Sequence, residues 1–174
     1  MWRFLKRIRA LFVKDPEKEF WKNREKALNP KGLQKYLRPV YVHRGKKILD
    51  KKNAFIPMDK DIRPFVTPHG LSGIFIAANA KVGDGCTIFH QVTIGSNTFR
   101  DSKGFGAPVI GDRVYIGAGA KIIGGITIGN DVRIGANAVV SKDVPDNATV
   151  VAPEPRLILH DTPRDNTFTA WRDL

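Results

Sequence analysis

Residues 110–140 read IGDRVYIGAGAKIIGGITIGNDVRIGANAVV, and an aliphatic residue stands at every sixth position of this stretch. The same register extends back to residue 76, with a break between residues 94 and 110. An α-helix would repeat its apolar face about every 3.6 residues and a two-sided strand every second residue, so a period of six predicts a solenoid of short strands. The aliphatic residues on this register are Ile76, Val82, Ile88, Ile94, Ile110, Ile116, Ile122, Ile128, Ile134 and Val140.

Glycine directly follows six of these aliphatic residues, and a small or β-branched residue stands four positions after each of them. We predict that every hexad forms one flat side, with the aliphatic side chain inward and the small residue filling the adjacent interior. Glycine is expected because it lets each corner adopt backbone angles that other residues resist. Three sides would close one coil of about eighteen residues. Complete coils are then predicted over residues 76–93, 110–127 and 128–145, with an interrupted turn between the first two.

About half of the chain resembles a known superfamily. Three segments are similar to the hexapeptide-repeat acyltransferases, namely GIFIAANAKVGDGCTIFHQVTIG, APVIGDRVYIGAGAKIIGGITIGNDVRIGANAVVSKDVPDN and PRLI, all within residues 73–158. The resemblance implies a mainly β fold, the left-handed parallel β-helix, together with acetyl-CoA as acyl donor and a homotrimer. We therefore divide the chain into a basic helical or irregular segment (residues 1–72), the β-helix (73–158) and a C-terminal tail (159–174).

The net positive charge of the chain comes from its N-terminal part. The chain has 174 residues with 29 Lys and Arg against 17 Asp and Glu, which gives a formal net charge of +12. The first fourteen residues, MWRFLKRIRALFVK, combine basic and apolar side chains at helical spacing and predict a basic amphipathic helix. This helix either packs on the coil or a neighbouring subunit, or contacts an anionic membrane or glycan. Nucleic acid is disfavoured because no nucleic-acid-binding motif accompanies the charge.

Targeting and redox signals are few. No stretch reaches the roughly 20 apolar residues of a membrane-spanning helix, and the early apolar run is too short for a secretory signal. We expect a cytoplasmic protein, with peripheral contact at the inner membrane face as the alternative. The single cysteine, Cys86, cannot form an internal disulfide and falls on an inward position, so we expect it in the core.

Segments outside the repeat have weaker signals. EKEFWKNREKALN, which ends before Pro30, predicts a helix, and GLQKYLRP predicts a short helical turn. Within residues 41–72, YVHRG and KKILDKKNAFIPM suggest short strands or loops that lead irregularly into the coil. The extra residues of SNTFRDSKGFGAP, between residues 94 and 110, predict a loop that extends outward.

Two histidines are candidates for the site. His90, in IFHQVTIG, is the one histidine of the repeat and lies two residues after an inward isoleucine, so it should point outward. Histidine suits general-base work near neutral pH, and the resemblance implies that His90 is the catalytic base. His69 follows Pro68 and either lines the acceptor end of the cleft or is a structural turn residue. The sequence does not identify the backbone amide that would stabilise the oxyanion, and the loop of residues 104–107 is a candidate by its position alone.

The resemblance also implies a groove for acetyl-CoA along the coil between two subunits. Its pantetheine arm would pass the small residues Gly117, Ala118 and Gly119 and, one coil later, Ala136. Lys142 could meet a phosphate of CoA. Each of these residues also has a structural alternative, because small residues occur at corners throughout the coil and a lysine can simply be solvated.

Two interpretations of the sequence differ in the acceptor of the acetyl group. GAGAKIIG and the segment ending in PRLI resemble serine acetyltransferase, but that family has Asp fifteen residues before the catalytic histidine and His two residues after that Asp. This chain has Phe75, Ala77 and Ala78 in that region, and Ala107 where the family has a second histidine. The run from His69 through IFHQVTIG and GAPVIGDRVYIG is instead typical of polysaccharide and sugar O-acetyltransferases. We therefore expect transfer to a hydroxyl of a surface polysaccharide or its precursor, with serine as the alternative acceptor.

Two further classes of protein are alternatives. A zinc enzyme of this fold needs three histidines from facing coils, and the repeat holds one, so no metal is expected. A trimeric scaffold without activity, which binds an anionic partner through its basic segment, is the non-enzymatic alternative.

Overall fold

The computed structural model describes residues 15–167. The amphipathic helix predicted in residues 1–14 and the end of the C-terminal tail lie outside the described residues. Helix α1 spans Pro16–Leu28, a 3-10 helix spans Gly32–Leu37, and helix α2 spans Arg38–Lys51. The Asp15 side chain caps α1 by accepting a hydrogen bond from the Glu17 amide at 3.0 Å. The helix and the helical turn predicted from sequence are thus confirmed.

The prediction of strands or loops in YVHRG and at the start of KKILDKKNAFIPM is wrong, because these residues form α2. Gly45 lies inside this helix, although glycine in a helix costs about 1 kcal/mol relative to alanine. Here glycine lets the side chains of Met58 and Phe20 approach α2 closely. A Cβ at Gly45 would lie 2.6 Å from Cε of Met58 and 3.8 Å from the ring of Phe20 in α1.

Eleven short strands follow the helices and wind into a parallel β-helix with three sides. Side A contains β1, β4, β7 and β10, side B contains β2, β5 and β8, and side C contains β3, β6, β9 and β11. The strands are β1 Phe75–Ile76, β2 Lys81–Val82, β3 Thr87–Ile88, β4 Thr93–Gly95, β5 Val109–Ile110, β6 Tyr115–Ile116, β7 Lys121–Ile123, β8 Thr127–Ile128, β9 Arg133–Ile134, β10 Val139–Val140 and β11 Thr149–Val150.

The hexad register defines the interior of this coil. Every aliphatic residue on the register is at most 5% exposed, and most are fully buried. Equivalent residues stack in parallel register, as where Ile94 pairs with Ile76 below and with Ile122 above. The predicted solenoid and its inward residues are therefore confirmed, and the fold is the left-handed β-helix.

Parallel pairing begins before the repeat does. Isolated bridges join Phe55 to Phe75, Ile62 to Val82, and Val66 to Thr87. The paired residues are twenty or twenty-one positions apart, whereas they are eighteen apart in the uninterrupted hexad coils and sixteen apart at the last coil. An irregular layer between α2 and β1 thus covers the first end of the coil, and it has no hexad signature because its corners are longer.

The loop between β4 and β5 interrupts the second coil, as predicted. An antiparallel bridge between Asn97 and Gly106 closes its base, and Phe99 near its tip is 74% exposed. The Gly125 amide, from the corresponding corner one coil later, donates to the carbonyl of Gly104 at 2.8 Å. The base of the loop is therefore held against the coil while the tip extends outward.

The glycines of the repeat have a different role from the predicted one. None of the six has a positive φ; the left-handed positions at the corner between sides B and C are Gly85, Arg113, Asp131 and Asn147. Four of the six are needed because an added Cβ would lie less than 3.0 Å from atoms of the next coil; these four are Gly83, Gly111, Gly117 and Gly129. A Cβ at Gly129 would lie 2.5 Å from the amide nitrogen of Asp146.

Side-chain oxygens fill the space beside these glycines. The amide of Asp84 donates to Oδ1 of Asp112 at 2.9 Å, the amide of Asp112 donates to Oδ1 of Asn130 at 2.8 Å, and the amide of Asn130 donates to Oδ1 of Asp146 at 2.7 Å. Each coil thus satisfies a corner amide of the coil before it, which stabilises the stack by about 1 kcal/mol per bond.

We expect Gly129→Ala to lower the free energy of unfolding by about 1–3 kcal/mol, because the added methyl group collides with backbone in the next coil. Gly104→Ala is the matched control, since the nearest atom to its added Cβ is 3.7 Å away. Chemical denaturation of both variants measures the difference. Equal stability of the two variants would contradict this role for the repeat glycines.

Within residues 15–167, no helix combines the length and the apolar character that crossing a bilayer requires.

Candidate functional site

His90 lies just after β3, at the corner where the chain passes from side C to side A; we call this the C–A corner. Gln91, with φ 60°, makes the turn. The Gln91 amide donates to the carbonyl of Ser72 at 2.9 Å, and the Gly119 amide donates to the carbonyl of His90 at 3.1 Å. Hydrogen bonds from the preceding and the following coil therefore hold the backbone at His90 in place.

The predicted cofactor residues occupy the same corner in the following coils. Gly117, Ala118 and Gly119 form it one coil after His90, and Ala136 lies on it one coil later, where the Asn137 amide donates to the carbonyl of Ala118 at 2.9 Å. Stacked strands are about 4.8 Å apart, so these small residues continue a straight column from His90. Gly117 is buried, whereas Ala118 is half-buried and Ala136 is exposed.

Lys142 does not join this column. It follows β10 and lies at the corner between sides A and B, in line with the loop between β4 and β5. The width of side A therefore separates it from the C–A corner. Its side chain is exposed.

The structure brings His69 and His90 together. Nδ1 of His69 and Nδ1 of His90 are 3.0 Å apart, and the ring centroids are 4.9 Å apart. His69 belongs to a tight turn in which the Gly70 amide donates to the carbonyl of Thr67 at 2.9 Å. The buried Thr67 amide in turn donates to Oε1 of Glu17 in α1 at 3.3 Å. Helix α1 thus supports the turn that carries His69.

Aromatic side chains support the histidine pair from one side. The His69 ring meets the Phe89 ring edge-on, with centroids 5.2 Å apart and an interplanar angle of 86°. Phe89 also packs on Tyr115 of β6, with centroids 5.2 Å apart. Sequence analysis did not find these two residues. Their only signal is that both stand at outward positions of the hexad register next to His90 or one coil after it.

Lys121 is a third residue that sequence analysis missed. Its Nζ donates to the carbonyl of Gln91 at 2.8 Å and to the carbonyl of Gly119 at 3.0 Å. It therefore joins the corner that carries His90 to the corner above it and places a positive charge there. An outward lysine at the start of a strand, such as Lys81, has the same local sequence signal, so only the fold distinguishes Lys121.

Side A next to this corner has no carboxylate at the positions where serine acetyltransferases have Asp. Phe75 lies in β1, pairs with Thr93 and is 43% exposed. Ala77 is half-buried and Ala78 is exposed at the following corner. The outward surface beside Thr93 is therefore apolar at Phe75.

The loop amides are less available for an oxyanion than expected. The amide of Phe105 donates to the carbonyl of Ser102 at 3.1 Å, and the amide of Gly106 donates to the carbonyl of Asn97 at 2.9 Å. The Gly104 amide reaches Oγ of Ser102 at 3.4 Å. These bonds commit three of the candidate amides to the loop itself.

Cys86 is fully buried, as expected, and its Sγ donates to the carbonyl of Gly111 at 3.3 Å. Burial raises the pKa of the Cys86 thiol above its ordinary value, and the nearby carboxylates of Asp112 and Asp84 act in the same direction. Because the thiolate is the reactive form, this cysteine is a core residue and not a nucleophile.

We expect Cys86 in the native protein to resist a thiol-specific disulfide reagent at pH 8, and to react with one equivalent after unfolding in guanidinium chloride. Burial and the raised pKa of the thiol both suppress its thiolate. Absorbance of the released aromatic thiol measures the reaction, with Cys86→Ala as the blank. Rapid stoichiometric reaction of the folded protein would contradict this assignment.

Metal-binding side chains do not gather in the part of the chain that the structure describes. Among residues 15–167, no group of three or more His, Cys, Asp or Glu side chains has the arrangement of a metal site. The expectation that no metal is bound stays a prediction.

Known proteins share this architecture. A family model described as bacterial transferase hexapeptide (six repeats) matches residues 107–142. Over 101 residues, or 58% of this chain, the sequence is 46% identical to a serine acetyltransferase of Mycobacterium tuberculosis, and the match covers 43% of that protein.

Solved structures give the same picture. Serine acetyltransferase isoform 3 of Entamoeba histolytica, in complex with cysteine, matches with a TM-score of 0.67 and 28% identity, covering 87% of this chain and 53% of that one. The serine acetyltransferase of Neisseria gonorrhoeae, in complex with serine, matches with a TM-score of 0.55 and 28% identity, covering 80% and 55%.

The repeat, the coil and these matches agree in their resemblance to the hexapeptide-repeat acyltransferases. Within that superfamily its coil resembles that of serine acetyltransferase. The chain spans about half the length of the relatives that it matches.

Proposed function

We propose that this protein is an acetyl-CoA-dependent O-acetyltransferase in which His90 is the general base. The observation that carries the proposal is the straight column at the C–A corner, which begins at His90 and continues through Ala118 and Ala136. A histidine at one end of a column of small side chains suits a thioester donor. An extended pantetheine arm can lie against the backbone there, with its thioester next to the histidine.

The reaction needs only one proton carrier. His90 accepts the proton of the acceptor hydroxyl while the hydroxyl oxygen attacks the thioester carbonyl carbon. The tetrahedral oxyanion then collapses, the carbon–sulfur bond breaks, and the imidazolium of His90 returns the proton to the sulfur of CoA. A single histidine near neutral pH can serve both half-reactions.

The small residues of the column would hold the pantetheine arm. Ala118, Gly119 and Ala136 leave room beside the backbone, while the buried Gly117 acts by letting the next coil stack closely. Lys142 lies across side A from the column. Its proposed contact with a CoA phosphate therefore requires the nucleotide end to cross side A or to extend from a neighbouring subunit.

We also propose a homotrimer, which the superfamily resemblance implies. Large apolar side chains are exposed on the strands of the coil, among them Val139 on side A and Tyr115 on side C. Packing between copies would remove such surface from water. Sedimentation equilibrium should give three times the monomer mass, and a purely monomeric protein would contradict the proposal.

The names of the matched relatives favour L-serine as the acceptor. The curated match and both structures described above are serine acetyltransferases. The polysaccharide acceptor expected from sequence has no support from these matches. L-Serine is therefore the leading candidate.

A sugar hydroxyl remains the second candidate because of one specific feature. Phe75 and Ala77 stand where serine acetyltransferases have an acid and a histidine, and Phe75 presents an apolar ring to solvent. A zwitterionic amino acid loses hydration when it binds and needs charged partners to offset that loss. An uncharged sugar ring can instead pack on an aromatic side chain.

We expect His90→Ala to lower kcat/KM for acetyl transfer at least about 100-fold, since general-base catalysis contributes about 10²–10⁴. CoA thiol release from acetyl-CoA measures the loss. His43→Ala is the matched control, because His43 is an exposed histidine on α2 away from the C–A corner. Retention of most activity by His90→Ala would mean that another group is the base.

The acceptor is decided by thiol release with L-serine, with L-alanine and with a surface-glycan extract in parallel. We expect release with L-serine and none with L-alanine, which differs by the hydroxyl alone. Release with the glycan extract only would favour the sugar acceptor. Release with neither acceptor, from protein that binds acetyl-CoA, would contradict both candidates.

A further inference from the structure

We propose that His69 is a positioning residue for His90: its Nδ1 accepts the Nδ1–H of His90 and thereby keeps Nε2 of His90 unprotonated as the basic nitrogen. The inference rests on the proposed function, because it assigns a tautomer to the proposed base. It differs from both alternatives that the sequence left open for His69, namely a residue that lines the acceptor end of the cleft and a structural turn residue.

The argument begins with the distance between the two rings. Nδ1 of His69 and Nδ1 of His90 are 3.0 Å apart, and the ring planes are inclined by 45°. This is hydrogen-bonding distance between nitrogens that can each donate or accept, depending on the tautomer. A bond forms only when one Nδ1 carries the proton and the other does not.

Two neutral arrangements satisfy that condition. If His69 donates, His90 carries its own proton on Nε2 and has no lone pair left with which to accept the proton of a substrate. If His90 donates, its Nε2 has the free lone pair. Only the second arrangement makes His90 a base. In a neutral imidazole the partner of one ring nitrogen determines the role of the other.

The surroundings hold His69 where it can accept. Pro68 restricts the backbone before it, and the turn is anchored to α1 through the bond from the Thr67 amide to Glu17. The edge-on contact with Phe89 limits rotation of the His69 ring. His90 is held by the corner bonds on both sides of it. Both histidines therefore lie on backbone segments that hydrogen bonds hold in place.

The pair also gives the second ring nitrogen of His90 a hydrogen-bond partner. A histidine base usually has its second nitrogen bonded to a carboxylate, a carbonyl or water, which sets its tautomer. Phe75 stands where the resembling enzymes have Asp. Among residues 15–167, the side chain hydrogen-bonded to the His90 ring is that of His69.

The direct test is nitrogen NMR of protein labelled with ¹⁵N-histidine, which distinguishes protonated from unprotonated ring nitrogens. The four histidines are assigned by single substitution. In the wild type we expect His90 to be protonated at Nδ1 and unprotonated at Nε2. In His69→Ala we expect that preference to be lost, while the control His43→Ala keeps it. A wild-type His90 protonated at Nε2 would overturn the proposal.

This measurement requires no turnover, so it separates the inference from the proposed function. An inactive protein with the expected tautomer would refute the acetyltransferase and leave the pairing intact. An active protein with the opposite tautomer would refute the pairing alone.

Kinetics test the consequence. We expect His69→Ala to lower kcat about 10- to 100-fold, as loss of a group that orients another typically does, with KM for acetyl-CoA and for the acceptor changed less than twofold. His69→Gln should recover much of kcat, because its amide oxygen can accept from Nδ1–H. A raised acceptor KM with unchanged kcat would overturn the proposal in favour of substrate binding, and thermal unfolding of both variants reveals any loss of folded protein.

Discussion

The parallel stacking of coils over a column of aliphatic side chains is the constraint on which the rest of this protein depends. Each coil bonds to the next through its backbone, as where the amide of Thr93 donates to the carbonyl of Ala120 at 3.0 Å. Parallel pairing stacks equivalent residues of successive coils, so residues one coil apart in sequence lie next to each other in a column. Residues far apart in sequence, such as His90 and Ala118, therefore become neighbours at one corner.

Close stacking also determines which residues the corners can hold. Glycine is required where the next coil meets the backbone, and Asp or Asn side chains from that coil fill the remaining space and satisfy corner amides. Left-handed corner positions then fall to residues such as Gln91 and Asn137. These requirements leave the outward corner positions free, and the candidate chemistry lies at one of them.

The N-terminal helices contribute to the site and not only to the charge of the chain. Through Glu17, α1 supports the turn that presents His69 to His90. The similarity to serine acetyltransferases favours an amino-acid acceptor, yet Phe75 and Ala77 supply neither the acid nor the histidine that those enzymes have there, while the nearby Lys121 contributes a positive charge. The candidate base and the candidate acceptor surface therefore occupy different parts of the coil, because His90 lies on the corner column and Phe75 lies on side A.

The sequence by itself determined the coil, its inward residues, the buried Cys86 and the outward position of His90, because a local period of six encodes each of them. It failed at α2, where Gly45 serves packing and not a helix boundary, and it gave the repeat glycines the wrong role. Only the tertiary structure decided that His69 meets His90 and that Lys121 joins two corners. Those contacts connect different coils, so they depend on corner lengths and on the inserted loop, which no local period records.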